Sequence, residues 1–274
     1  HGKGREGDCS PSAKRLAKSR IALRASQTLA GVAHSPVRSR GLAFAPPTSC
    51  QAFVSLAGGN ARYAFFDEGS AGRMLTGNDL PALPKTVAAL HFGSFSLAEE
   101  PCGSAFEALM QREQNDRVIS LDINVRPTLI RNRDGYLARI DRLIAMSDIV
   151  KLSTEDLDWL QPGAIFANVA RKWLAMGARV IVLTKAAEGA EALSTHAFAS
   201  VPGVAVTVAD TVGAGDTFMA AILARLDSRH LLAKRAVARL DESALTDLLS
   251  FAAKAAAITV SRPGADPPWL RELA

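Results

Sequence analysis

Four short apolar runs, Thr86–Phe92, Val118–Ile123, Ile149–Leu152 and Val180–Thr184, are each separated from the next by a stretch with helical periodicity. A strand that is apolar along its whole length buries both faces, and a crossover helix supplies the cover between parallel neighbours. The pattern therefore predicts an α/β chain with a mainly parallel sheet and helices on both sides. The intervening helices are expected at Gly103–Arg112, with Phe106, Leu109 and Met110 on one face, at Tyr136–Met146, and at Ile165–Met176, closed by Gly177. Before this region, Ala52–Leu56 and Arg62–Phe66 flank Gly58-Gly59-Asn60 and read as a hairpin. After it, Glu191–Thr195 and Phe198–Val201 read as antiparallel strands, and two further helices are expected at Asp216–Leu226 and Leu245–Val260.

Charge divides the chain unevenly. The 274 residues carry 32 Lys and Arg against 27 Asp and Glu, a formal net charge of +5. Residues 1–50 hold nine basic and two acidic residues, and the remainder holds 23 and 25, so all the excess basicity lies in the head. A basic arm can bind nucleic acid. This one has no aromatic interleaving and no nucleic-acid motif, which argues against that partner. No apolar run is expected to cross a membrane. Cys9, Cys50 and Cys102 are scattered without metal or disulfide spacing, so a reducing cytosol is the expected compartment.

The run Asp210-Thr211-Val212-Gly213-Ala214-Gly215-Asp216-Thr217-Phe218 opens the first of the two late helices. Glycines let backbone N–H groups approach a ligand, and a helix start presents unpaired donors with partial positive charge. A carboxylate at the same junction opposes simple phosphate binding but suits removal of a proton from an attacking hydroxyl. The motif reads as phosphoryl transfer to an alcohol, with Asp216 as base and the amides of Gly213, Ala214 and Gly215 as an anion hole. The plainer alternative is an ordinary helix start capped by Asp216. No lysine follows the second glycine, so it is not a Walker A loop.

Other motifs lie where strands are expected to end, the usual place for ligands in open α/β sheets. Asp122, Asn124 and Arg126 alternate, so they share a face. Arg126 can neutralise phosphate and Asn124 can orient a sugar or phosphate oxygen; alternatively these residues cap a strand ended by Pro127. Ser153 and Asp156 have the spacing of a capping box, and Lys151 before them either belongs to the same element or is a solvated strand-end charge. Gly189 fits a turn with positive φ. Tyr63, Phe65 and Phe66 run through the hairpin, and Asp67, Glu68 and Arg73 follow it; they either meet a sugar or form a hairpin packed by aromatics with exposed charges. His91 is expected to be a satisfied core histidine.

DTVGAGDTFMAAIL resembles the C-terminal signature of the PfkB (ribokinase-like) sugar kinases, the fructokinase branch in particular, and the resemblance runs from about Ala52 to the C-terminus. It implies a ribokinase-like three-layer α/β/α fold and transfer of the ATP γ-phosphate to a sugar hydroxyl with magnesium, fructose or a related ketose or hexose being favoured. Asp216 falls on the family's base, and Gly213, Ala214 and Gly215 fall on its anion hole. Ser153 to Asp156 matches the Asn-x-x-Glu element, where the acid helps to hold magnesium through water, with Ser for Asn and Asp for Glu. Thr184, Lys185 and Gly189 match the strand and turn around the nucleotide, Lys185 replacing a small residue. Arg262 and Gly264 lie in the loop near adenine and a monovalent-cation (potassium) site to which Asp210 contributes. Asp122, Asn124, Arg126, Tyr63 and Arg73 match positions near the sugar. Nucleoside and 2-keto-3-deoxygluconate kinases share this chemistry, and homodimers form through the family's lid.

Residues 1–50 show one weak helical stretch near Ser12–Ala30 and no strand periodicity. The family's first strands, Gly-Gly sugar segment and much of its lid are not visible there. The expectation is an atypical basic head, a shifted frame or truncated gene start, joined near Thr48–Phe53 to a kinase domain at 51–274. A ribokinase-like remnant that binds nucleotide but phosphorylates little is the alternative.

Overall fold

The computed structural model describes residues 21–22, 51–57, 60–66, 68–93 and 95–273. Seven strands form the main sheet in the order β1(Ile21–Ala22), β4(Ala89–Gly93), β5(Val118–Asp122), β6(Ile149–Ser153), β7(Val180–Thr184), β8(Ala190–Ser194) and β9(Phe198–Val201). From β1 to β7 all neighbours are parallel, and β8 and β9 complete the sheet antiparallel. The remaining pair, β2(Gln51–Ala57) and β3(Asn60–Phe66), is an antiparallel hairpin. Most of the expected head helix and the Gly58-Gly59 turn lie outside the described residues. Ile21–Ala22 pairs with β4 in a segment whose sequence shows no strand pattern.

The helices are α1(Cys102–Glu113), α2(Arg133–Ala145), α3(Thr154–Leu160), α4(Phe166–Met176), α5(Ala214–Ser228), the one-turn α6(Lys234–Val237) and α7(Glu242–Val260). Two cores divide along each strand. Val180 and Val182 face the cluster built with Phe218, Ile222, Leu248 and Leu249 of α5 and α7. Ile181 and Leu183 face the cluster of α1, α2 and α4, with Phe106, Ile140 and Trp173. Successive strand side chains point to opposite faces, so an unbroken apolar run serves both cores at once. This is the three-layer α/β/α arrangement.

Element ends move where side chains supply partners. The strand expected from Thr86 begins only at Ala89, because Val87 N–H turns back to the Pro84 carbonyl and Arg117 holds the Leu83 and Pro84 carbonyls. The α2 helix begins three residues earlier than expected, capped by Asn132, which accepts the Gly135 amide at 3.0 Å. Asp241 likewise caps α7 by accepting the Ala244 amide. Contrary to the sequence reading, α7 is long and apolar enough to cross a membrane, with a mean hydropathy of 1.3. Its Leu245, Leu248, Leu249, Ala252 and Ala255 are buried against the sheet and α5, which accounts for its apolarity.

Candidate active site

Parallel strands β4 to β7 end at Gly93, Asp122, Ser153 and Thr184 on one edge of the sheet. At this edge α5 begins. Its N-cap Gly213 has φ 80° and ψ 0°, a left-handed conformation that costs a side-chain-bearing residue strain. A Cβ there would also sit 2.8 Å from the Ala265 Cβ. Asp210 joins this turn to the 261–265 loop: its carboxylate accepts the amides of Val212 and Gly264, each at 2.9 Å. These amides, Val212 foremost, hold the Asp210 carboxyl below its ordinary range. The amides of Ala209 and Asp210 donate to the Val260 carbonyl at the end of α7. Turn, loop and two helix ends thus form one hydrogen-bonded unit, and Thr259 Oγ1 donates to Thr217 Oγ1 at 3.0 Å just behind it. Asp216 is half-buried in the first turn of α5, where the helix dipole favours a carboxylate.

Beside this turn lies a buried pair of opposite charges. Lys151 is not a solvated strand-end charge; it is 4% exposed and sits directly opposite Asp122, itself 1% exposed. Its Nζ lies 3.0 Å from both Asp122 carboxylate oxygens. A Cβ on Gly215 would stand 3.0 Å from the same Nζ. Asp122 therefore holds a buried lysine against the first turn of α5, which differs from the sugar contact expected for it. The signal was available: VISLD and IVKLS each carry one charge inside an apolar run, and the two charges are opposite in sign. Only the register brings them together.

Asp156 is engaged by the backbone around it. Its two carboxylate oxygens accept the Val125 amide at 2.7 Å and the Ser153 amide at 2.8 Å, while Ser153 Oγ accepts the Asp156 amide at 3.1 Å. This is the capping-box alternative, extended into a brace between the exits of β5 and β6. Burial raises the Asp156 carboxyl above its ordinary range, against the lowering effect of the Ser153 amide and Lys151. Among the described residues no group of three or more His, Cys, Asp or Glu is arranged to hold a metal. Asn124 adopts φ 42°, and Arg126 Nη1 donates to the Val125 carbonyl. Tyr136 of α2 packs edge-on against Trp159; its hydroxyl is raised by burial and by Asp156, and lowered by Arg126, so these side chains share one neighbourhood.

Several candidate cations are already committed. Lys185 Nζ donates to Glu191 at 2.7 Å, and this bond raises its pKa. Arg262 pairs with Glu272 and Asp266. Arg73 pairs with Glu99 at 2.5 Å and donates to the Glu100 carbonyl, near the loop that follows β4. Thr184 Oγ1 donates to the Leu152 carbonyl at 3.4 Å. Gly189 has φ 104°, and a Cβ there would come within 2.0 Å of the Val201 carbonyl oxygen. Gly264 is left-handed at φ 72°. Tyr63 is described at the backbone alone, opposite Val54, and Asp67 lies outside the described residues. His91 bonds Ser120 at 3.0 Å, as expected for a satisfied core histidine.

Known proteins match this arrangement. A fructokinase from Rhizobium leguminosarum bv. trifolii is 53% identical over 203 residues, 74% of this chain and 62% of that protein. A probable chloroplastic fructokinase-6 from Arabidopsis thaliana is 32% identical over 84% of this chain and 60% of its own length. The chain thus spans about three-fifths of the length of these curated relatives. The structure of a fructokinase with bound ATP from Xylella fastidiosa superposes with a TM-score of 0.74 at 27% identity, covering 83% of this chain and 72% of that one. A fructokinase double mutant from Vibrio cholerae O395, bound to fructose, ADP and potassium, superposes at 0.69 and 25% identity, covering 81% and 70%. Residues 45–272 match the pfkB family of carbohydrate kinases, and with a three-layer sheet and a glycine turn at its carboxyl edge, this chain belongs to that family.

Proposed function

We propose that this chain phosphorylates a sugar hydroxyl at the expense of ATP, with fructose or a related ketose or hexose as acceptor and residues 51–274 as the kinase domain. The observation that carries the reading is the left-handed Gly213 turn, with Asp216 in the first turn of a fifteen-residue helix whose Gly215 lies beside a buried lysine. The sugar hydroxyl gives its proton to an Asp216 carboxylate oxygen as its own oxygen attacks the γ-phosphorus. The new O–P bond forms as the bridging bond to the β-phosphate breaks, and ADP leaves with that electron pair. The first-turn amides of α5 hold the charge on the transferred oxygens. No covalent intermediate on the protein is needed.

Magnesium would be held chiefly by the phosphates and water, supplying charge neutralisation. Asp156, whose oxygens already accept two amides, would act on it only through water. A potassium ion would rest on carbonyls of the 261–265 loop, which Asp210 fixes in place. The test is ATP consumption by this chain against a panel of ketoses, hexoses, nucleosides and 2-keto-3-deoxygluconate. Turnover that depends on fructose or a close relative supports the reading. A response confined to nucleosides or 2-keto-3-deoxygluconate moves the acceptor within the family. ATP binding without turnover on any sugar rejects the activity for this chain.

A further inference from the structure

Lys151 and Asp122 are both charged and both almost fully buried. Burying such a pair rarely adds stability over a well-packed apolar pair, so stability alone gives little reason for it. Its surroundings supply one. Two of the three ammonium N–H groups are used by Asp122, which is its sole hydrogen-bond acceptor among the described residues. The base of the Asp122 side chain is packed against β4: a Cβ on Gly93 would meet the Asp122 carbonyl oxygen at 2.8 Å and its Cβ at 3.2 Å. On the other side the ammonium bears on Gly215, where even a methyl group would come within 3.0 Å. A cation is thereby wedged beneath the positively polarised end of α5, a like-sign arrangement that becomes favourable when an anion arrives above it.

Building on the proposed phosphoryl transfer, we propose that Lys151 is a positioning residue for the catalytic turn: held by Asp122, its ammonium fixes Gly215 and Asp216 against the phosphoryl group in transfer. The side chain acts through the turn and leaves proton transfer to Asp216. The closest contacts of the turn are then with the γ-phosphate, so ATP should sense the loss of Lys151 and ADP should not.

The test compares the chain with Lys151→Met, with Asp122→Asn/Lys151→Met, and with Gly215→Ala. Melting temperature, calorimetric affinities for ATP and ADP, and sugar-kinase kinetics are measured for each. Lys151→Met should melt lower, because it strands the Asp122 carboxylate, and the double variant should regain most of that loss. The double variant should nevertheless keep a kcat about 10²-fold below the parent, as expected for a displaced catalytic turn, with the sugar KM little changed. Its preference for ATP over ADP should fall about tenfold. Gly215→Ala, which presses on Nζ from the opposite side, should lower kcat in the same direction and serves if the double variant does not fold. A double variant that matches the parent in melting temperature, kcat and ATP preference overturns the proposal while leaving the kinase reading intact. If the parent phosphorylates no sugar, the ATP-to-ADP preference still decides the role of Lys151. A parent with no such preference overturns that role as well.

Discussion

Asp210 shows how one side chain can tie a helix-opening turn to a loop distant in sequence. Its two carboxylate oxygens accept one amide from its own turn and one from the 261–265 loop. Because these bonds depress its folded-state pKa, its contribution to stability is complete above the unfolded value and is lost as pH falls through the folded one. Asp210→Ala should therefore lower stability more at pH 6 than at pH 2, a difference read by urea titration of both proteins at the two pH values. An equal loss at both would show that the carboxylate charge is not involved. At Gly213, an alanine would meet both a left-handed φ and the Ala265 methyl at 2.8 Å. Gly213→Ala should cost roughly 1–2 kcal/mol in the same titration, the usual penalty for a left-handed side chain. Residue role was legible at Gly213, because glycine at a helix start has few alternative uses, but not at Asp210, whose bond to the Gly264 amide joins segments far apart in sequence. It was not legible for Lys151 or Asp122, whose burial depends on strand register, nor for Lys185 and Arg262, whose partners Glu191 and Glu272 come from the following strand and the C-terminal turn.

Elements were read well in their interiors and less well at their ends. Unbroken apolar runs marked β5 and β7 because both faces of those strands are covered. The start of β4 was misjudged because Thr86 and Val87 have strand-like side chains but lie in a turn held by backbone and Arg117 hydrogen bonds. The one-turn α6 has no periodicity to detect; it is anchored by Lys234 on Asp148 at 2.5 Å. The connection from β7 to β8 packs tightly against the chain that leaves β9. Gly189 and Gly203 pack backbone on backbone there, with a Cβ on Gly203 placed 2.1 Å from the Ala187 carbonyl oxygen. Gly189→Ala should destabilise the protein by about 2–4 kcal/mol and lower its melting temperature, since the clash is with backbone and cannot be relieved by a rotamer change. A melting temperature equal to the parent's would mean that the β9 exit moves aside freely.

At the scale of the whole molecule, the sheet order brings four strand ends to one edge, and the long crossing of α5 and α7 carries a fifth and a sixth segment to the same place. The alternation of strands and helices made this edge foreseeable, whereas the mutual distances within it were not. Ligand linkage offers a global check: ATP at 100 times its dissociation constant should stabilise the fold by about 2.7 kcal/mol, visible as a rise in melting temperature. The most direct measurement is ADP release with ATP and fructose, compared with ATP alone, for the chain and for Asp216→Asn. Sugar-dependent ADP is expected from the parent, with a loss of roughly 10²–10⁴-fold in the variant and ATP-induced stabilisation preserved. Sugar-dependent turnover in Asp216→Asn within about threefold of the parent would contradict this, since loss of a general base is expected to cost far more.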